Sequence, residues 1–76
     1  FNPTTTIRYA VKRAAHVKIQ VFDMLGRVVE TLVDDKRPAG TYALEWIPDR
    51  SSSGVYFYRM LIDGQAVETK KMTLLK

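Results

Sequence analysis

The chain contains no cysteine, which rules out a disulfide framework and any metal site built on thiolates. Compartment stays open on that ground, since secreted domains can do without cysteine, but stability must then come from apolar packing alone. Histidine occurs once, as His16, and tryptophan once, as Trp46. A single imidazole without a partner constellation does not make a nucleophile and base. His16 sits at a strand start, out of phase with Val17, and reads as a solvated residue. Long apolar runs are also missing. The longest, residues 55–62, is interrupted by Arg59 and is too short to cross a bilayer, so no transmembrane segment is expected. Phe1-Asn2-Pro3 lacks the charged and apolar regions of a signal peptide. A length of 76 residues allows one small domain near the lower limit for a self-sufficient core, and the abrupt opening at Phe1 reads as a piece of a larger protein.

What is present is an ordinary apolar content of 46%, which argues against disorder. The net charge is +4 and the pI about 9.6. The basic residues are scattered as Lys12-Arg13, Lys36-Arg37 and Lys70-Lys71, with acids between them. Nucleic-acid binding needs one basic stripe, so no nucleic acid is expected as a partner. A solvated surface accounts for these charges better, and the mild excess suits contact with an anionic envelope surface. Asp34-Asp35 does not make a cation site, because hard metals need several oxygen ligands and Lys36-Arg37 opposes one. No metal or other cofactor is expected. Ser51-Ser52-Ser53 reads as a flexible loop rather than a nucleophile. Asn2-Pro3-Thr4 is no glycosylation acceptor, since proline holds its middle position.

Strand signals recur with turn chemistry between them. Residues 4–11 alternate, with Ile7, Tyr9 and Val11 on one face, and residues 16–22 do the same with Val17, Ile19 and Val21. Asp23-Met24-Leu25-Gly26 supplies a turn in which Gly26 suits a left-handed position. Residues 27–33 alternate poorly; the spacing of Val29 and Leu32 predicts a bulge. Residues 34–40 read as a polar loop. Residues 41–46 alternate cleanly through Tyr42, Leu44 and Trp46, and residues 47–53 form the longest irregular stretch. Residues 55–62 are apolar on both faces, as for a central strand covered on each side. Asp63-Gly64 then predicts a two-residue hairpin turn with positive φ at both positions, and residues 65–75 return with Met72 and Leu74 in phase. The expected fold is all-β: a small antiparallel Ig-like or fibronectin-like sandwich of six to seven strands in two sheets.

Two groups of residues are candidates for function. Trp46, Tyr42, Tyr56 and Tyr58 could stack on sugar rings, but their phase with Leu44 and Met60 favours core packing; Phe22 and Phe57, out of phase, are the rings expected at the surface. The second group is the closing strip. Lys70-Lys71 and Lys76 bracket Met72-Thr73-Leu74-Leu75, which reads blandly as a charged strand edge and functionally as a docking strip for a receptor. No obvious catalytic group lies there, which points to a domain recognised by other proteins.

Several segments together resemble a known family: Phe1-Asn2-Pro3-Thr4-Thr5-Thr6-Ile7-Arg8-Tyr9, Asp23-Met24-Leu25-Gly26-Arg27, Ala39-Gly40, Trp46, Gly54-Val55-Tyr56-Phe57-Tyr58-Arg59 and Lys71-Met72-Thr73-Leu74-Leu75-Lys76. In order and spacing they resemble the C-terminal sorting domain of type IX secretion cargo, which is similar to the Ig-like domain of flagellar hook-capping proteins. The loop after Trp46 departs from the pattern: it is short and carries Pro48 where the family more often has Asp and Gly. The resemblance implies that residues 1–76 are a single C-terminal sorting domain excised from a larger secreted protein. Family members label Bacteroidetes-type cargo for an outer-membrane secretion translocon, and a sortase-like peptidase typically removes the label. The implied partners are therefore that translocon, the peptidase and the covalently linked parent domains. The implied location is secreted or at the cell surface, reached through the periplasm and outer membrane. The domain itself is expected not to be an enzyme, although its parent can be a secreted hydrolase. Lys70, Lys71, Met72, Leu74, Leu75 and Lys76 are the expected recognition residues. Leu25, Gly26, Arg27, Gly40, Trp46, Gly54 and Tyr56 are the expected structural motif. The competing readings are a carbohydrate-binding or spacer module of a secreted glycoside hydrolase, and a structural Ig-like domain of a flagellar cap.

Overall fold

A computed structural model describes residues 5–46 and 54–74, without the side chains of Thr5 and Leu74. Among the described residues six strands follow one another: β1 (Thr5–Val11), β2 (Ala15–Phe22), β3 (Val28–Arg37), β4 (Gly40–Trp46), β5 (Gly54–Ile62) and β6 (Gln65–Leu74). They form two antiparallel sheets, β1-β4 and β3-β2-β5-β6. The chain passes from one sheet to the other between β1 and β2, between β3 and β4 and between β4 and β5. This is the expected small Ig-like sandwich. The segment 47–53, read as irregular, lies outside the described residues, as does Asn2-Pro3-Thr4.

The period-two pattern becomes the core directly. Ile7, Tyr9 and Val11 from β1 face Val17, Ile19 and Val21 from β2 and Tyr56, Tyr58 and Met60 from β5, all buried. Trp46, 1% exposed, fills the gap between the sheets and meets Tyr56 edge-on at 5.5 Å. Tyr9 stacks on its cross-strand neighbour Tyr42 at 5.2 Å, a geometry favoured between aromatic quadrupoles. Among the described residues no buried side-chain nitrogen or oxygen lacks a hydrogen-bond partner.

The poor alternation of β3 has a physical source. Pairing with β2 skips Leu32 and Val29, so Val33 and Glu30 both oppose inward residues of β2, Ile19 and Val21. Two register shifts, rather than one bulge, produce the three-residue spacing. They also turn Glu30 inward, where its Oε1 accepts the Trp46 indole N–H at 3.0 Å.

Two expectations need correction. Residues 34–37 are strand rather than loop: Asp34, Asp35, Lys36 and Arg37 pair with Lys18, Val17, His16 and Ala15. Their charges suit an edge strand, which blunts edge-to-edge association; only Pro38 and Ala39 separate β3 from β4. β5 is central in its hydrogen bonding, but its outer face is not covered, since Phe57 is half-buried and Arg59 exposed. The apolar composition on that side therefore belongs to a surface. At the β5–β6 turn, Asp63 and Gly64 have φ of 51° and 84°, as the hairpin signal requires.

Two outcomes follow for stability. Trp46→Ala removes the largest buried side chain and should cost about 3–5 kcal/mol, much of the stability of a chain this short; urea unfolding measures it. Burial raises the Tyr58 and Tyr9 hydroxyl pKa values above the ordinary tyrosine value of 10.0. A folded-state value above the unfolded one contributes stability that is present below the unfolded value and lost as pH rises through the folded one. Melting temperature should thus fall above about pH 10, and less steeply in Tyr58→Phe.

Candidate functional site

Strand alternation divides the closing strip. Phe57 pairs with Lys71 and Tyr56 with Met72, so Met72 takes the inner face, where it packs against the core, and Lys71 the outer. Lys70 pairs with Tyr58 on the inner side, and its Nζ stands 3.7 Å from Glu68 Oε2. The six residues expected to act as one strip therefore do not share a face. Leu75, Lys76 and the Leu74 side chain lie outside the described residues. Among the described residues β6 pairs with β5 alone, and its other edge meets no described strand.

This arrangement depends on one residue. Ile62 pairs with Gln65 and Leu61 with Ala66, but Met60 pairs with Glu68, so Val67 is skipped. An uninterrupted hairpin would set Lys70 opposite Phe57 and turn Met72 outward. The bulge reverses both assignments, because a one-residue slip exchanges faces.

At the other end of the same sheet, the turn joining β2 to β3 is tightly tied. The Asp23 carboxylate accepts three hydrogen bonds: from the Leu25 N–H at 2.9 Å, the Arg27 N–H at 3.0 Å and Arg27 Nε at 2.8 Å. Backbone bonds run from Asp23 N–H to the Arg27 carbonyl and from Gly26 N–H to the Asp23 carbonyl, each 3.0 Å. Gly26 has φ 83°, a conformation that glycine adopts without steric cost. Leu25 and Arg27 are both exposed. Gly40 and Gly54 open β4 and β5, while Trp46 and Tyr56 are core residues. Of the expected structural motif, then, Leu25, Gly26, Arg27 and Gly40 stand at the surface.

The outer face of the four-stranded sheet brings the turn and β6 together. Phe22 pairs with Phe57, and Phe57 with Lys71, in one row across three strands. Gln20, Arg59 and Thr69 form the next row. The Arg59 guanidinium lies 4.8 Å above the Phe22 ring, a cation–π contact. A cavity of about 330 Å³ opens here, lined by Phe22, Asp23, Met24, Gly26, Phe57, Arg59 and Thr69. Met24, Phe22, Phe57 and Arg59 were not among the expected site residues. The out-of-phase aromatic character of Phe22 and Phe57 was the available signal for those two, and the register that joins them to Lys71 was not.

His16 and Asp34 make a separate contact, Nε2 to Oδ1 at 2.6 Å, while the His16 N–H donates to Asp63 Oδ1 at 2.9 Å. His16 is thus exposed but partnered across the β2–β3 pair. Among the described residues no group of three or more His, Asp or Glu is placed to hold a metal, and no helix is long and apolar enough to cross a membrane.

The geometry is that of a β-sandwich with a shaped outer sheet face and, among the described residues, a border strand paired on one side only. The chain belongs to the family of secretion system C-terminal sorting domains, whose family model matches residues 2–74. That family serves type IX secretion and places the protein among those secreted or displayed at the cell surface by way of the outer membrane. No curated protein and no solved structure matches the chain.

The turn gives a pH prediction. The Arg27 N–H foremost, against a smaller opposing desolvation, then the Arg27 guanidinium and the Leu25 N–H, hold the Asp23 carboxyl below its ordinary value of 3.8. A depressed folded-state value contributes stability above the unfolded value and loses it as pH falls through the folded one. The Leu25 and Arg27 amide resonances should therefore shift together in acid, below about pH 4, and Asp23→Asn should abolish that step.

Proposed function

We propose that this domain is a non-catalytic sorting and anchoring label that directs a covalently linked parent protein across the outer membrane. Its readers are the outer-membrane translocon, which selects the cargo, and a sortase-like peptidase, which removes the label. Any chemistry belongs to the parent, which is often a hydrolase in this family. Residues 1–76 act as one C-terminal unit, and β6 is the element read. The observation that carries this reading is the position of β6 at the border of its sheet, where a receptor can add a strand or grip side chains. Lys71 faces outward from it, and Lys70, Leu74, Leu75 and Lys76 complete the recognition segment. Met72 anchors that segment to the core.

The carbohydrate-binding alternative loses its main residue, since Trp46 is 1% exposed and its indole N–H is already bonded to Glu30.

A carrier fused upstream of the chain tests the proposal in a bacterium with this secretion system. Deleting residues 59–76 should trap the carrier in the periplasm, and Lys71→Glu, with unchanged melting, should reduce surface delivery at least about fivefold, the scale of a roughly 1 kcal/mol contact. Undiminished delivery of both variants would refute it.

A further inference from the structure

We propose that the β2–β3 turn is a docking knob for a partner protein whose receiving surface is apolar and rimmed by carboxylates. The proposal rests on the export reading above, but it assigns recognition to a different part of the domain. Met24 is 71% exposed and Leu25 78%. Val28 and Val29 follow them, so that all exposed large apolar side chains among the described residues except Val67 fall within residues 24–29. Single exposed apolar residues are ordinary, whereas a cluster marks an interaction surface.

The cluster is held ready. A turn that served only to reverse the chain would do so with polar residues. Here the carboxylate and backbone of Asp23 fix a turn that displays Met24 and Leu25 to solvent. The ordering cost of the display is met before any partner arrives, which favours binding.

Beside the knob lies a hole. The cavity of about 330 Å³ has Met24 on its wall and the Phe22–Phe57 pair in its lining. A knob and hole in fixed relation suit a partner of defined shape, which inserts a side chain while receiving Met24 and Leu25. A fluid lipid surface gains nothing from such a relation. Charge supplies the rest of the partner's chemistry. Arg59 and Lys71 are exposed on this surface, while Asp23 and Arg27 form an ion pair that offsets their charges. A planar guanidinium seated on an aromatic ring is well disposed to take a carboxylate. The matching surface therefore offers apolar groups at its centre and Asp or Glu at its rim.

The test uses the carrier fusion in secreting cells, with p-benzoylphenylalanine replacing Met24 and, as a control, the exposed Thr41 on the two-stranded sheet. Irradiation should cross-link position 24, but not position 41, to a cell-envelope protein. The yield should fall at least about tenfold in Leu25→Ser and in Arg59→Glu, both melting as the parent chain does, the size expected for an interface anchor. Cross-linking insensitive to either substitution overturns the proposal, as does a cross-link to a second copy or within the fusion. Binding of the chain to phosphatidylglycerol vesicles that is lost in Leu25→Ser, without a protein cross-link, also overturns it and marks a membrane contact. If Leu25→Ser and Arg59→Glu are delivered to the surface normally while the deletion of residues 59–76 is not, this proposal fails and the export reading stands. If the deletion too is delivered normally, the export reading fails.

Discussion

Closure of a two-stranded sheet over a four-stranded one is the constraint on which everything else rests, and Trp46 is where that closure is made. A two-stranded ribbon is not stable in water by itself, so β1 and β4 exist as a layer only because their inner face is buried. Trp46 sits at the end of β4, pairs with Thr5, meets Tyr56 edge-on and donates its indole N–H to Glu30 on β3. One side chain thereby ties both sheets together. In a chain with no disulfide, that contact and the surrounding aliphatic layer carry the load that cross-links carry in other small secreted domains.

The irregularities in the large sheet serve this division of labour. Skipping Leu32 and Val29 turns Glu30 inward to meet the indole. Skipping Val67 turns Met72 toward the core and Lys71 outward. Each bulge exchanges faces downstream of itself, so apolar packing is collected on one side and exposed aromatic and basic groups on the other. The β2–β3 turn and β6 are separated by residues 28–64 in sequence, yet they share one outer surface because β5 lies between β2 and β6.

Much of this was legible beforehand. Ile7-Tyr9-Val11 and Val17-Ile19-Val21 announced buried faces by their spacing, Tyr42 and Trp46 by their phase with Leu44, and Asp63-Gly64 announced its hairpin. The poor alternation of residues 27–33 signalled a bulge without showing that there are two register shifts. Residues 34–37 misled because their charges resemble a loop. An edge strand at the sheet border tolerates such a run, since one face and one edge meet water. Phe22 and Phe57 were separable from the core by phase, but nothing local joins them to each other or to Arg59.

The sequence by itself determined the all-β class, the family and the inner core, because side-chain alternation and turn chemistry are local properties written into consecutive residues. Only the tertiary structure decided which residues meet on the outer face. Register across β2, β5 and β6 depends on single skipped residues, and a skipped residue has no signature strong enough to be read until its partner strand is in place.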